Sequence, residues 1–207
     1  METLRRTLRL LILGGWAAFF SLNVCEAQDG LTEIQNHRKK QQEEMKSESS
    51  PLLKKDRRRF KGLNYYPPDP GYRVKAKFVK TENAVLFKMK TTTTRLPEYI
   101  KYGEVHFTLG GADYSLEVYQ SPDVIKRSGY EDYLFIPFTD ETNGDETYEV
   151  GRYLEMRIPS SEEVVIDFNL CYNPYCSYNP NYSCPIPPDV NHLPVEIKAG
   201  EKKFRKG

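Results

Sequence analysis

After the stiff run Pro67-Pro68-Asp69-Pro70-Gly71 the apolar residues settle into strict alternation, and that alternation limits the chain to antiparallel sheet. Val74, Ala76 and Phe78 fall on one side while Arg73, Lys75 and Lys77 fall on the other. Val105, Phe107 and Leu109 alternate with Glu104, His106 and Thr108, and Gly110-Gly111 then marks a hairpin into Tyr114, Leu116 and Val118. Alternating runs at Val85 to Met89, Leu134 to Phe138, Leu154 to Ile158, Val164 to Asn169 and Val195 to Lys198 bring the expected total to about eight strands. A period of two gives each strand one apolar face and one solvated face. No helical segments separate the strands, which excludes a parallel α/β sheet. Open edges are best avoided by closure, so the sequence predicts a mainly β domain: an antiparallel β-barrel or sandwich preceded by two helices.

Charge decides which partners are excluded. The chain carries 30 Lys+Arg against 29 Asp+Glu, a net of +1, without the basic excess of a nucleic-acid binder. A charged share of 29% with a mean hydropathy of −0.66 excludes a multi-span membrane protein.

The N-terminus reads as an export signal. Arg5, Arg6 and Arg9 precede the apolar run Leu10 to Phe20, and Cys25-Glu26-Ala27 offers small residues for cleavage before Gln28. Residues 1–27 are therefore expected to leave, taking Trp16, the single tryptophan, with them. The run is too short to span a bilayer, so no transmembrane span is expected after cleavage. The expected destination is the periplasm or the exterior. A lipid anchor on Cys25 is disfavoured by the bulk of Val24 before it, and Leu4 and Arg9 fit a twin-arginine signal poorly.

Residues 28–61 form a basic helical segment ahead of a β-rich domain at 62–207. Leu31 to Ser47 has only a thin apolar stripe (Leu31, Ile34, Met45), and a second helix is expected from Ser49-Ser50-Pro51 to about Phe60. Arg38 to Lys61 holds ten basic and four acidic residues, whereas Glu104 to Asp167 holds 15 acidic and four basic. A solvated helical face and pairing within the chain account for both segments.

The usual catalytic signatures are absent: no glycine-rich phosphate loop, no Gly-x-Ser-x-Gly elbow, no His-Glu-x-x-His, and no cofactor motif. Asp140-Glu141-Thr142-Asn143-Gly144-Asp145-Glu146 misses calcium-loop spacing, because Gly144 falls at position five, and it reads as a hairpin turn instead. No metal site is expected.

The densest segment runs from Asp167 through Tyr172-Asn173-Pro174-Tyr175-Cys176 and Tyr178-Asn179-Pro180 to Cys184-Pro185. Tyrosines, cysteines and prolines crowded into one connection point to a functional loop. Three chemistries are open to its cysteines. A Cys176–Cys184 disulfide is the simplest in an exported protein, leaving Cys171 free. A thiolate metal site lacks a Cys-x-x-Cys or a nearby His, and redox catalysis lacks a thioredoxin-like motif.

The runs Thr142-Asn143-Gly144 to Tyr148, Gly151-Arg152-Tyr153, Asp167-Phe168-Asn169, Tyr172-Asn173-Pro174 to Cys176, Cys184-Pro185 to Pro188, Asn191 and Ala199-Gly200-Glu201 resemble a prokaryotic family, the domain of unknown function numbered sixteen-eighty-four. The likeness spans about Leu31 to Lys202. It implies no particular activity; it implies a cysteine pair at Cys176 and Cys184, with Cys171 at a small-residue position. Some relatives lack export signals, and a reducing cytoplasm would keep the pair as thiols.

Two functional classes follow. The first is a binding module for a small-molecule ligand, with Asp140, Arg152, Asp167, Asn169, Tyr172, Tyr175 and Asn191 as candidate binding residues. The second is an enzyme using Asp140 or Asp167 as acid/base, or Cys171 as nucleophile. A filled barrel would leave a structural role.

Overall fold

The computed structural model describes residues 28–205. The expected export signal at 1–27, with Cys25, lies outside the described residues. The described chain begins with helix α1 over residues 28–46 and a single helical turn, α2 (Lys54–Arg57). Eight strands follow among the described residues: β1 (Arg73–Lys80), β2 (Leu86–Lys88), β3 (Glu98–Leu109), β4 (Ala112–Gln120), β5 (Tyr133–Asp140), β6 (Arg152–Arg157), β7 (Glu163–Asp167) and β8 (His192–Leu193).

The fold is mainly β, as the alternation requires. The strand order is β6-β5-β4-β3-β1-β7, with β2 on β3 and β8 on β5. All ladders are antiparallel except that of β8 on β5. The two ends of this path meet at one point. Tyr153 on β6 and Tyr172, just beyond β7, exchange backbone hydrogen bonds of 2.9 and 3.1 Å, so a single bridge stitches a curled half-barrel. The curl needs a bulge in β3 between Lys101 and Gly103. There a Cβ on Gly103 would lie 2.6 Å from the Val79 carbonyl and 2.7 Å from the Phe78 ring, so the position takes only glycine.

Two elements differ from the sequence expectation. The second helix shrinks to four residues because Ser50 closes α1 instead of capping a new helix. Its hydroxyl donates to the Met45 carbonyl at 2.6 Å and accepts the Leu52 N–H at 3.2 Å. Val195 to Lys198 forms no strand, because Pro194 lacks a ladder N–H and the Ile197 N–H is taken by the Asp140 carboxylate at 2.8 Å.

The inner face of the sheet buries Val105, Phe107, Leu116, Val118, Leu134, Ile136, Phe138, Leu154 and Ile166 around Phe168. Phe168 is fully buried, with Phe107 and Phe138 ring centroids at 5.6 and 5.5 Å. The outer face is not simply solvated. Met89, Tyr99, Tyr119, Phe135 and Tyr153 form a second cluster there, closed by Tyr172, Cys176 and Cys184 of the loop.

Helix α1 docks through its thin stripe, with Ile34 and Met45 buried. Met45 joins Leu52, Leu63 and Tyr178 in a third cluster. Polar contacts complete the docking: Arg38 donates to the Tyr66 carbonyl at 3.0 Å and lies 4.5 Å over the Tyr65 ring. Gln42 exchanges bonds of 3.4 and 3.2 Å with the backbone of Leu63. Among the described residues, no helix is long and apolar enough to cross a membrane.

Candidate functional site

The polar residues singled out in the sequence fall into three separate buried clamps. The first is built on Arg152, the first residue of β6, whose guanidinium is fully buried. It pairs with Asp140 at the end of β5 at 3.1 Å, and donates to the carbonyls of Ala199 at 2.5 Å and Ile197 at 2.8 Å. The other Asp140 oxygen accepts from the Thr142 hydroxyl and the Ile197 N–H, both at 2.8 Å. The fork thus faces one carboxylate and three carbonyls, the third being that of Glu201 at 3.3 Å, and only its buried Nε is left without a partner.

The second clamp is Asp167 with Asn169. One Asp167 oxygen accepts the N–H and the amide of Asn169, at 2.9 and 2.8 Å, and the other pairs with Arg73 at 3.0 Å. The Asn169 amide then exchanges bonds of 2.9 and 2.8 Å with the backbone of Asp69. The third clamp is Asn191. It accepts the Glu117 N–H at 2.7 Å and donates to the carbonyls of Glu117 and Pro137 at 2.9 and 2.7 Å. Pro137 sits inside β5 without an N–H to offer β4, and Asn191 fills that gap with a side-chain amide that imitates a strand residue.

Asp140 and Arg152 are thus brought together, as are Asp167 and Asn169, while Asn191 stands alone on the β4–β5 seam. Of the candidate binding residues, Arg152, Asp167 and Asn169 are therefore spent on the chain itself and do not join Tyr172 and Tyr175 around a ligand. Cys171 does not have the setting of a nucleophile. It is buried in the inner core, its thiol lies 3.5 Å from the Ala199 carbonyl, and burial pushes it up to about 11.

Sequence reasoning placed Glu201 in the family pattern but gave it no role. It is fully buried, accepting the Asn173 N–H at 2.9 Å and the Tyr178 hydroxyl at 2.6 and 2.7 Å. Burial raises its carboxyl to about 7, against the pull of those donors. The sequence signal was the glycine before it. Gly200 holds φ 72°, and a Cβ there would stand 2.3 Å from the Cys171 sulfur. That glycine lets the segment from Ala199 to Glu201 lie against Cys171 and deliver the carboxylate beneath the Tyr-Asn-Pro loop.

The loop itself covers the outer cluster. Tyr153 donates its hydroxyl to the Pro185 carbonyl, while Tyr172 and Tyr133 both donate to Glu155, the latter at 3.0 Å. Tyr175 reaches across to Glu44 on α1. On its outward side Tyr175, Tyr182 and Ile186 remain exposed, and the two tyrosine rings meet edge-on at 5.2 Å. The expected Cys176–Cys184 disulfide is not formed in this structure: both cysteines are free, Cys176 half-buried and Cys184 buried, and the Cys176 N–H donates to the Cys184 sulfur at 3.2 Å. The Cys184 thiol, then the hydroxyls of Tyr148 and Thr92, draw the Cys176 thiol down to about 6 in spite of burial, and Cys184 is pushed up correspondingly.

Two open hollows lie elsewhere on the sheet: one of about 510 Å³ over His106, Phe107, Asp113 and Tyr114, the other of about 470 Å³ by Lys77, Phe78 and Glu162. Neither is lined by the loop. Among the described residues, no group of three or more His, Cys, Asp or Glu is placed to hold a metal ion.

The fold places the chain in the class of mainly β domains built on a curled antiparallel half-barrel. The family model described as "Protein of unknown function (DUF1684)" matches residues 58–202, and the chain belongs to that family. It is similar to the uncharacterized protein from gene locus rrnAC0354 of Haloarcula marismortui, known from a solution NMR structure. The two are 33% identical, the match covers 86% of this chain and 96% of that one, and the TM-score is 0.67. No curated protein matches the chain.

Proposed function

We propose that the chain is an exported binding domain, and that its small-molecule ligand docks on the outward rim of the Tyr-Asn-Pro loop. One observation carries this reading. Asp140, Arg152, Asp167, Asn169 and Asn191 are spent internally, whereas Tyr175, Tyr182 and Ile186 stay 39%, 36% and 36% exposed on the rim. Flat amphipathic rings beside the Glu155 carboxylate suit a ligand with an apolar face and a hydrogen-bonding edge. In an oxidising compartment Cys176 and Cys184, free but adjacent in this structure, join as a disulfide that braces the rim. The acid/base alternative is weaker, because both aspartates are enclosed by donors from the chain.

The test is an amide-resolved NMR titration with monosaccharides, nucleosides and small aromatic acids. Shifts concentrated in residues 172–187 with Tyr133 and Glu155 support the rim. Shifts centred on His106 and Tyr114, or none with any compound, contradict it.

A further inference from the structure

We infer that Cys176 and Cys184 form a reversible dithiol–disulfide centre, in which Cys176 exchanges with an external disulfide and Cys184 resolves the adduct. The inference rests on the brace proposed above and adds that the brace opens and closes. Three features of the geometry carry it. The two cysteines are free and adjacent, packed in one cluster, and the Cys176 N–H reaches the Cys184 sulfur at 3.2 Å. Their exposure differs: Cys176 is half-buried at the rim, while Cys184 is buried behind it in the tyrosine cluster. Cys176 also has a ready hydrogen-bond donor, the Tyr148 hydroxyl at 3.6 Å, which suits a sulfur bearing negative charge. An accessible thiolate backed by a shielded thiol is the arrangement that thiol–disulfide exchange requires. Cys171 takes no part, enclosed in the inner core.

The step balances as follows. The Cys176 thiolate attacks one sulfur of a disulfide RS–SR; a Cys176–SR bond forms, the S–S bond breaks, and RS⁻ leaves and takes up a proton. Cys184 then loses its proton to solvent and attacks the Cys176 sulfur, forming Cys176–Cys184 and expelling the second RS⁻, which is protonated in turn. Starting from the Cys176 thiolate, the protein gives up two electrons and one proton, solvent supplies the second proton, and the external disulfide becomes two thiols. A dithiol reductant reverses the sequence.

The experiment uses the full chain with Cys25→Ser, so that this thiol is not counted, reduced and then exposed to glutathione disulfide. We expect two thiols to vanish together with no glutathione retained, and reduced dithiothreitol to restore both. Cys184→Ser should trap glutathione on Cys176, and Cys176→Ser should react about tenfold more slowly or less. Should a variant misfold, pulse alkylation of the reduced chain keeps the test open: Cys176 should label first, with half-maximal rate near pH 6, and Cys171 only after unfolding. If a closed Cys176–Cys184 bond forms but dithiothreitol does not open it in the folded protein, or if glutathione lodges on Cys184, exchange is overturned while the brace stands. If all three remaining thiols stay free, both are overturned.

Discussion

The two faces of the sheet are held by different means. The inner face around Phe168 is almost wholly apolar, and its stability comes from area removed from water, a non-directional effect. The outer face is rich in tyrosine, and each buried hydroxyl needs a partner at one place. Tyr119 finds Glu117 at 2.6 Å, Tyr153 the Pro185 carbonyl, and Tyr172 the Glu155 carboxylate. An apolar face tolerates exchange of side chains of equal volume, whereas a face tied by directed bonds does not. The lesson is that this fold puts its polar chemistry into positioning a cover.

The strongest break in that contrast is expected at Arg152. Arg152→Met keeps the bulk but strands the Asp140 carboxylate and three carbonyls, and should cost about 3–5 kcal/mol in urea denaturation. Leu134→Met, a volume-conserving change on the inner face, should cost less than about 1.5 kcal/mol by the same measurement.

Next in size is a pH effect at Glu201. Its carboxyl stands at about 7 in the fold against an ordinary 4.5, so between those values the folded chain holds a proton that the unfolded chain has released. Its contribution to stability is therefore full below pH 4.5 and lost as pH rises through 7. Glu201→Gln should remove this slope, which is roughly 2–3 kcal/mol between pH 4.5 and 8 in paired thermal melts.

The smallest effect is expected on the rim. Tyr175→Phe deletes one exposed hydrogen bond to Glu44, and should change stability by about 1 kcal/mol or less while loosening α1 from the loop in hydrogen exchange.

The inner face was legible because its signal is local: Ala76, Phe78, Val105, Phe107, Leu116 and Val118 alternate along their own strands and are all buried. The loop from Asp167 to Pro188 was legible as a dense segment for the same reason. What the clamps do was not legible, because it depends on partners remote in sequence. Asn191 makes sense only once β4 and β5 lie side by side and Pro137 is seen to leave a gap. Asn169 likewise completes the backbone of Asp69, a residue 100 positions away. Types that bind ligands well also pair well with backbone, and only the fold separates the two uses. The outer cluster escaped for a related reason: tyrosines on the polar side of an alternation read as solvated until a loop is found lying on them.

Asp167→Asn tests most directly whether these side chains serve the fold or a ligand. The change removes a carboxylate that accepts two bonds from Asn169 and pairs with Arg73, itself linked to Glu33 on α1 at 2.9 Å. A melting temperature lowered by the equivalent of roughly 1–3 kcal/mol, with ligand-induced shifts on the rim unchanged, is the result the account requires. An unchanged melting temperature with binding abolished would contradict it, and would return Asp167 to the ligand.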